Sequence, residues 1–239
     1  MKKILLSTVH HPDVSLKNLE YVCEQVQTIF DEVYLTISNV TSSKIQSSFS
    51  ENSFHCLTIF PNGAADARRK VLKFALKNVS EKVNYFYCDF DKVIVALLNR
   101  NFEFKNFISA LNLKNEYRII GRNSQDLELY PDTWIETERI TNKVAATIFK
   151  IDNVDLLAGC CAFDSNVGKV IAENSTEILT DTEWPLICKD SQIMINYDEV
   201  SFLTFNFQYN KGRNDYEWLG YIPRLKLALQ AFDSFKKHM

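Results

Sequence analysis

No C-x-x-C spacing links any two of the six cysteines (Cys23, Cys56, Cys88, Cys160, Cys161 and Cys188), so a zinc ribbon or a thioredoxin-like redox pair is not encoded. Several lie in apolar runs, which fits buried thiols in a reducing compartment. No basic block breaks the mixture of 27 Lys+Arg and 30 Asp+Glu, net charge -3, so the electrostatic footprint of a nucleic-acid binder is missing. No apolar run approaches a membrane span. Lys2 and Lys3 precede only Ile4 to Val9, too short for the apolar core of a signal peptide. The expectation is a cytoplasmic protein, in which the Asn-x-Ser/Thr triplets at Asn39, Asn78 and Asn174 are coincidences of composition. No internal repeat and no interdomain linker is visible, and 239 residues, 46% of them hydrophobic, suffice for one domain with a large core.

What is present begins with alternating strands and helices. Ile4 to Val9 reads as a buried strand. Leu16, Leu19, Val22, Val26, Ile29 and Phe30 recur at helical spacing before a second strand at Val33 to Ile37. A Ser-rich stretch from Ser38 to Ser53 reads as a loop, followed by a strand near His55 to Phe60 and a turn at Pro61 to Gly63. A helix from Ala64 to Val79 then feeds an apolar strand that ends in Asp89. Such alternation implies a mainly parallel sheet covered by helices on both faces, an α/β fold. Further on, helices are expected at Phe104 to Leu111 and Thr133 to Phe149, and strands at Tyr117 to Ile120, Asp155 to Phe163 and Val200 to Phe207. Pro223 is read as opening a last helix whose Leu225, Ala228, Leu229, Phe232 and Phe235 dock on the core; Lys226, Lys236 and Lys237 on it leave a membrane-surface role as the lesser reading.

The segment VNYFYCDFDKVI, Val83 to Ile94, carries the strongest chemical signal. It delivers Asp89 and Asp91 at the carboxyl end of a strand, where α/β sheets place ligands. In an extended chain residues two apart point the same way, so both carboxylates can face one cation while Phe90 turns inward. Paired hard oxygens suit Mg2+ or Mn2+. With 15 Asp in 239 residues, one D-x-D arises by chance, so context must carry the claim. Arg68 and Arg69 add to it: cations in the opening turns of a helix oppose the macrodipole unless an anion is near. That anion is either a diphosphate held by the arginines and free backbone N–H groups, or a carboxylate such as Asp66.

The order of elements around D-x-D resembles the GT-A fold of nucleotide-sugar glycosyltransferases. GAADARRKVLKFAL, from Gly63 through Arg68, Arg69 and Leu72 to Ala75, is similar to their family-2-type segment one helix upstream. TDTEWPL, Thr180 to Leu186, stands where such enzymes carry an acidic acceptor-side motif, and GRNSQDLELYPDTWIETERITN resembles the stretch between in uncharacterised bacterial GT-A-like proteins. The likeness spans roughly residues 4 to 190. It implies a single GT-A-like domain, with residues 1–91 as nucleotide-binding half and 92–239 as acceptor-side half. It further implies a UDP- or GDP-linked sugar donor, a glycan or small-molecule acceptor, and a bacterial cell-surface glycan as product. Asp89 and Asp91 would hold the metal; Gly63, Arg68, Arg69 and Asp89 would line the diphosphate side. Glu183 or Asp181 would take the acceptor proton in an inverting reaction, and Trp184 would stack on a sugar or belong to the core. Many such enzymes add a later His as third ligand, but the only His after residue 55 is His238, beside the last residue of the sequence. Water, phosphate or a carboxylate such as Asp198 would replace it. His10, His11, Pro12, Asp31 and Ser38 lie where the nucleobase is expected.

Two rivals remain. YFYCDFDKVI fits the nucleophile motif of haloacid-dehalogenase-like phosphatases, with Asp89 phosphorylated, although that motif normally opens its domain. A catalytically silent sugar-nucleotide-binding module is the other. A sugar-1-phosphate nucleotidyltransferase would want a Gly-rich loop after the first strand, and STVHHPD has no Gly.

Overall fold

Apolar residues alternate sides along the first strand, β1 (Lys3–Val9): Leu5 enters one core and Ile4 and Leu6 the other, so the sheet they found must be covered twice. In this computed structural model, which describes residues 1–206, 209 and 218–238, it is. The chain continues through α1 (Leu16–Ile29), β2 (Glu32–Ser38), α2 (Ser43–Glu51), β3 (His55–Ile59), α3 (Ala64–Asn78), β4 (Asn84–Cys88), α4 (Phe90–Asn99) and α5 (Asn101–Ala110). It goes on through β5 (Glu116–Arg122), α6 (Ser124–Leu127), α7 (Asp132–Phe149), β6 (Cys160–Asp164), α8 (Ser165–Asn174), α9 (Thr180–Asp190), β7 (Met194–Val200) and α10 (Trp218–Lys237). One seven-stranded sheet results, in the order β3-β2-β1-β4-β6-β5-β7. The strands β1 to β4 pair in parallel, as do β5 and β7; β6 runs antiparallel to both neighbours. The expected single α/β domain with a mostly parallel sheet is the observed one. All six cysteines are free, and five are buried.

Several elements differ from the sequence reading, each because a tertiary contact overrides a local preference. The Ser-rich stretch holds a helix, α2, since Ile45, Ser48 and Phe49 form an inward face and Phe49 packs edge-on against Phe90. Asp91 is expected in an extended segment, but the chain turns into a helix, α4, directly after Asp89, burying Phe90 and Val93 to Leu97. The strand expected at Val200 to Phe207 lies earlier, at β7, and Phe207 falls outside the described residues. The last helix begins at Trp218, with Pro223 inside it; Pro223 is exposed, so water can meet the carbonyl its missing N–H leaves unpaired. Its outward face also differs: Leu225, Leu229 and Phe232 do not dock on the core, whereas Phe235 does.

What matters for function is one edge of this sheet. The carboxyl end of β4 lies there, and the first turns of α3, α4 and α9 line the same cavity of about 230 Å3.

Candidate active site

Asp89 follows β4 directly and is the N-cap of α4. The pair with Asp91 is therefore not an extended D-x-D: one carboxylate stands on a cap and the other in the first helical turn. Both nevertheless line the cavity. Asp89 accepts hydrogen bonds from Arg68 Nη2 at 2.9 and 3.1 Å, from Thr8 Oγ1 at 3.4 Å and from the Tyr87 hydroxyl, and Lys92 Nζ lies 3.4 Å away. Burial would raise its pKa, yet Arg68 and Lys92 hold the carboxyl well below the usual carboxylate range.

Arg68 is the centre of this arrangement. Its Nε donates to Tyr87 at 2.9 Å, Nη1 to Thr180 at 3.0 Å and to Asp181, and Nη2 to Asp89. The anion demanded by a cation in the opening turns of α3 is thus a pair of carboxylates from β4 and α9. Asp66 instead pairs with Lys70 at 2.7 Å. Arg68 is a clamp across the site and has no donor left over for a phosphate. Arg69 points elsewhere: its Nη1 donates to the carbonyl of Glu177 at 2.5 Å and lies 3.8 Å from Glu183.

Of the expected acids at the start of α9, Asp181 lines the cavity and Glu183 does not. The Glu183 carboxylate is buried and accepts from Ser175 Oγ at 2.5 Å, from Glu177 N at 2.7 Å and from Thr176 N. It holds the turn between α8 and α9 in place. Trp184 belongs to the core, edge-on to Tyr87 and Phe163; the void beside it, about 10 Å3, admits no sugar ring. Asp198 sits on the edge strand β7 and pairs with Arg118 at 3.0 Å, away from the cavity.

Gly63 caps α3 in a left-handed conformation, φ 83°, with open space where a Cβ would stand. No side chain caps that helix, and Ala64 and Ala65 line the cavity. The first turns of α4 and α9 likewise carry no side-chain cap. Three helix N-termini therefore meet at one cavity, none capped by the side chain of its N-cap residue and each contributing a partial positive charge.

Other members of the site have no sequence motif. Lys92 donates to the Ala158 carbonyl at 2.6 Å while facing Asp89. From α7 and α10, Glu138 and Arg224 approach to 3.6 Å, with the Arg224 guanidinium 3.2 Å over the Trp134 ring. Only Lys92, three residues beyond Asp89, could have been suspected from the sequence. Gly159, at φ 61°, lies hard against Lys92 and Asp89: a Cβ there would fall 2.4 Å from Lys92 Nζ and 2.7 Å from Asp89 Oδ2. Gly159→Ala is expected to cost about 1–2 kcal/mol for the left-handed backbone alone, read by denaturant unfolding. An unchanged midpoint would show that the loop adapts.

Among known proteins, no family model and no curated protein matches the chain. Solved structures do. A crystal structure of 4-diphosphocytidyl-2C-methyl-D-erythritol synthase superposes with a TM-score of 0.54 at 14% identity, covering 95% of this chain and 98% of that one. Glucosyl-3-phosphoglycerate synthase of M. tuberculosis reaches a TM-score of 0.54 at 9% identity, covering 99% of this chain and 80% of that one. Its complex with uridine diphosphate reaches 0.51 at 10% identity, with the same coverage of 99% and 80%. At such identities the likeness speaks for architecture alone, a GT-A-like α/β fold with a mostly parallel sheet.

Proposed function

We propose that this protein transfers a sugar from a nucleotide-diphosphate donor to an acceptor hydroxyl, with a divalent ion, Mn2+ or Mg2+, accompanying the donor. The observation that carries the reading is the meeting of three uncapped helix N-termini with an acidic pair at the carboxyl edge of the sheet. N-termini favour phosphate oxygens, and carboxylates favour hard cations.

Charge balance supports the ion. The cavity holds four carboxylates, Asp89, Asp91, Glu138 and Asp181, and three cations, Arg68, Lys92 and Arg224, so its formal charge is -1 before any ligand enters. A diphosphate adds further negative charge and is repelled unless a cation enters with it. Asp89 and Asp91 are the oxygen donors that fit; water and the diphosphate would complete the shell. When bound, the ion neutralises the departing nucleoside diphosphate. The residues of the chain do the rest. The free N–H groups of Ala64 and Ala65 bind phosphate oxygens beside Gly63, whose lack of a side chain leaves room. Lys92, 3.4 Å from Asp89 at the cavity wall, would supply a positive charge to the phosphates. Arg68 keeps Asp89 and Asp181 in register, and Asp181 accepts the proton of the acceptor hydroxyl; Glu183 and Arg69 hold the α8–α9 turn that positions it. The donor would be UDP- or GDP-linked and the acceptor a glycan or small molecule.

Against the phosphatase alternative stands the position of Asp89, which follows the fourth strand of the chain, whereas that nucleophile motif normally opens its domain. Calorimetric titration with UDP and GDP tests the proposal. Binding in Mn2+ is expected, with little in chelator, and Asp89→Asn should weaken it at least about tenfold, or 1.4 kcal/mol. Absence of binding to either nucleotide in the presence of metal would refute it; metal-dependent binding without sugar transfer would leave a silent module.

A further inference from the structure

The last helix, α10, is apolar on two opposite sides. Ala231 and Phe235 pack on the domain, while Trp218, Ile222, Leu225, Leu229 and Phe232 are each between 54% and 70% exposed. These five recur at alternating intervals of four and three positions, which places them in one stripe along the outer surface. Their combined open surface is on the order of 500 Å2, at the upper end of what a monomer leaves uncovered and large enough to mark a site of contact.

The charges around the stripe tell what covers it. The chain as a whole is -3, yet α10 carries Arg224, Lys226, Lys236 and Lys237 against the single acid Asp233. Arg224 turns inward over Trp134. Lys226, Lys236 and Lys237 are exposed, and Lys236, about five turns beyond Trp218, continues the stripe itself. Two copies laid stripe to stripe would offer these lysines little acidic partner, since the facing helix carries the single acid Asp233. An anionic lipid surface instead satisfies both features, burying the apolar row and attracting the basic flank, with Trp218 suited to the headgroup boundary.

We infer that α10 is a membrane-surface helix that docks this protein on anionic lipid through Trp218, Ile222, Leu225, Leu229 and Phe232. It lies on the bilayer and does not cross it: no described helix is long and apolar enough to span a membrane. Arg224 and Leu227, on the inner face of the same helix, line the cavity, so the docking helix itself forms one wall of the site. An acceptor presented at a lipid surface would meet the donor there, a consequence that rests on the transferase reading, whereas lipid binding itself does not.

Co-sedimentation of the full chain with phosphatidylcholine vesicles, with and without phosphatidylglycerol, tests the inference in the absence of nucleotide. Binding is expected to the anionic vesicles and to weaken with added salt. Leu225→Asp with Leu229→Asp should abolish it while leaving the melting temperature and nucleotide titration unchanged, because both side chains face away from core and cavity. Lys226→Glu with Lys236→Glu, which leaves the apolar row intact, should reduce it by about fivefold or more for each lysine. Failure of the wild type to sediment with anionic vesicles would overturn the inference. So would a dimer in light scattering that the double aspartate variant renders monomeric, since a second copy would then be the cover.

Discussion

Replacing Arg68 with methionine is expected to lower stability by about 3–5 kcal/mol and to remove donor binding together with it. The guanidinium is almost wholly buried and joins Asp89 at the end of β4 to Asp181 at the start of α9. Removing it leaves two carboxylates near one another in a poorly hydrated site with only Lys92 to compensate, and uncompensated buried charge is among the costliest defects of a fold. Tyr87 and Thr180 lose a partner as well. The Arg68→Lys variant should recover little, since an ammonium cannot bridge both carboxylates and Tyr87 from one planar fork. Urea unfolding measures the first effect and nucleotide titration the second. A variant of wild-type stability would mean that water hydrates this cluster and that Arg68 is not its keystone.

Asp155→Ala is expected to be about as damaging, again about 3–5 kcal/mol. Asp155 accepts from Arg122 N at 2.9 Å, Nε at 2.7 Å and Nη2 at 2.7 Å, and from Asn142 at 3.2 Å. Arg122, itself buried, would keep among the described residues the Tyr130 ring and one carboxylate, Glu138, which also holds Arg224 at the cavity wall. The same group sets part of the acid sensitivity. Burial opposes the charge of Asp155, but Arg122 outweighs it and keeps the carboxyl below the usual range; Asp89 is held down in the same sense by Arg68 and Lys92. In the unfolded chain both titrate near an ordinary aspartate, at about 3.9. Their stabilisation is therefore complete above about pH 5 and disappears as pH falls below about 4 toward the native values. Urea midpoints measured across that range should fall steeply for the wild type and more gently for Asp155→Ala. Parallel curves would contradict the assignment.

Much of the first half is legible in the residues. The alternation of β1, α1, β2, β3, α3 and β4 follows from apolar periodicity, and so does the placement of Asp89 at a strand end. GAADARR at the start of α3 pointed to a charged site, although the anions that answer Arg68 lie on β4 and α9, with Asp181 separated from it by 113 positions. No local pattern encodes such a distance. The Ser-rich α2, expected as a loop, and the start of α4, expected as extended chain, differ from the sequence reading for a related reason: a short segment takes its conformation from what buries it, and Phe49 and Phe90 bury each other.

Periodicity and composition settle the class of the fold, its buried strands and the acid at the end of β4, because hydrophobic burial on two faces of a sheet leaves a repeat that can be read along the chain. Packing alone decides that Arg68 is spent on Asp89 and Asp181, that Glu183 braces a turn while Asp181 faces the cavity, and that α10 turns Leu225, Leu229 and Phe232 outward. Apolar spacing states that a helix has a face; it takes the neighbouring helices to determine which face is covered.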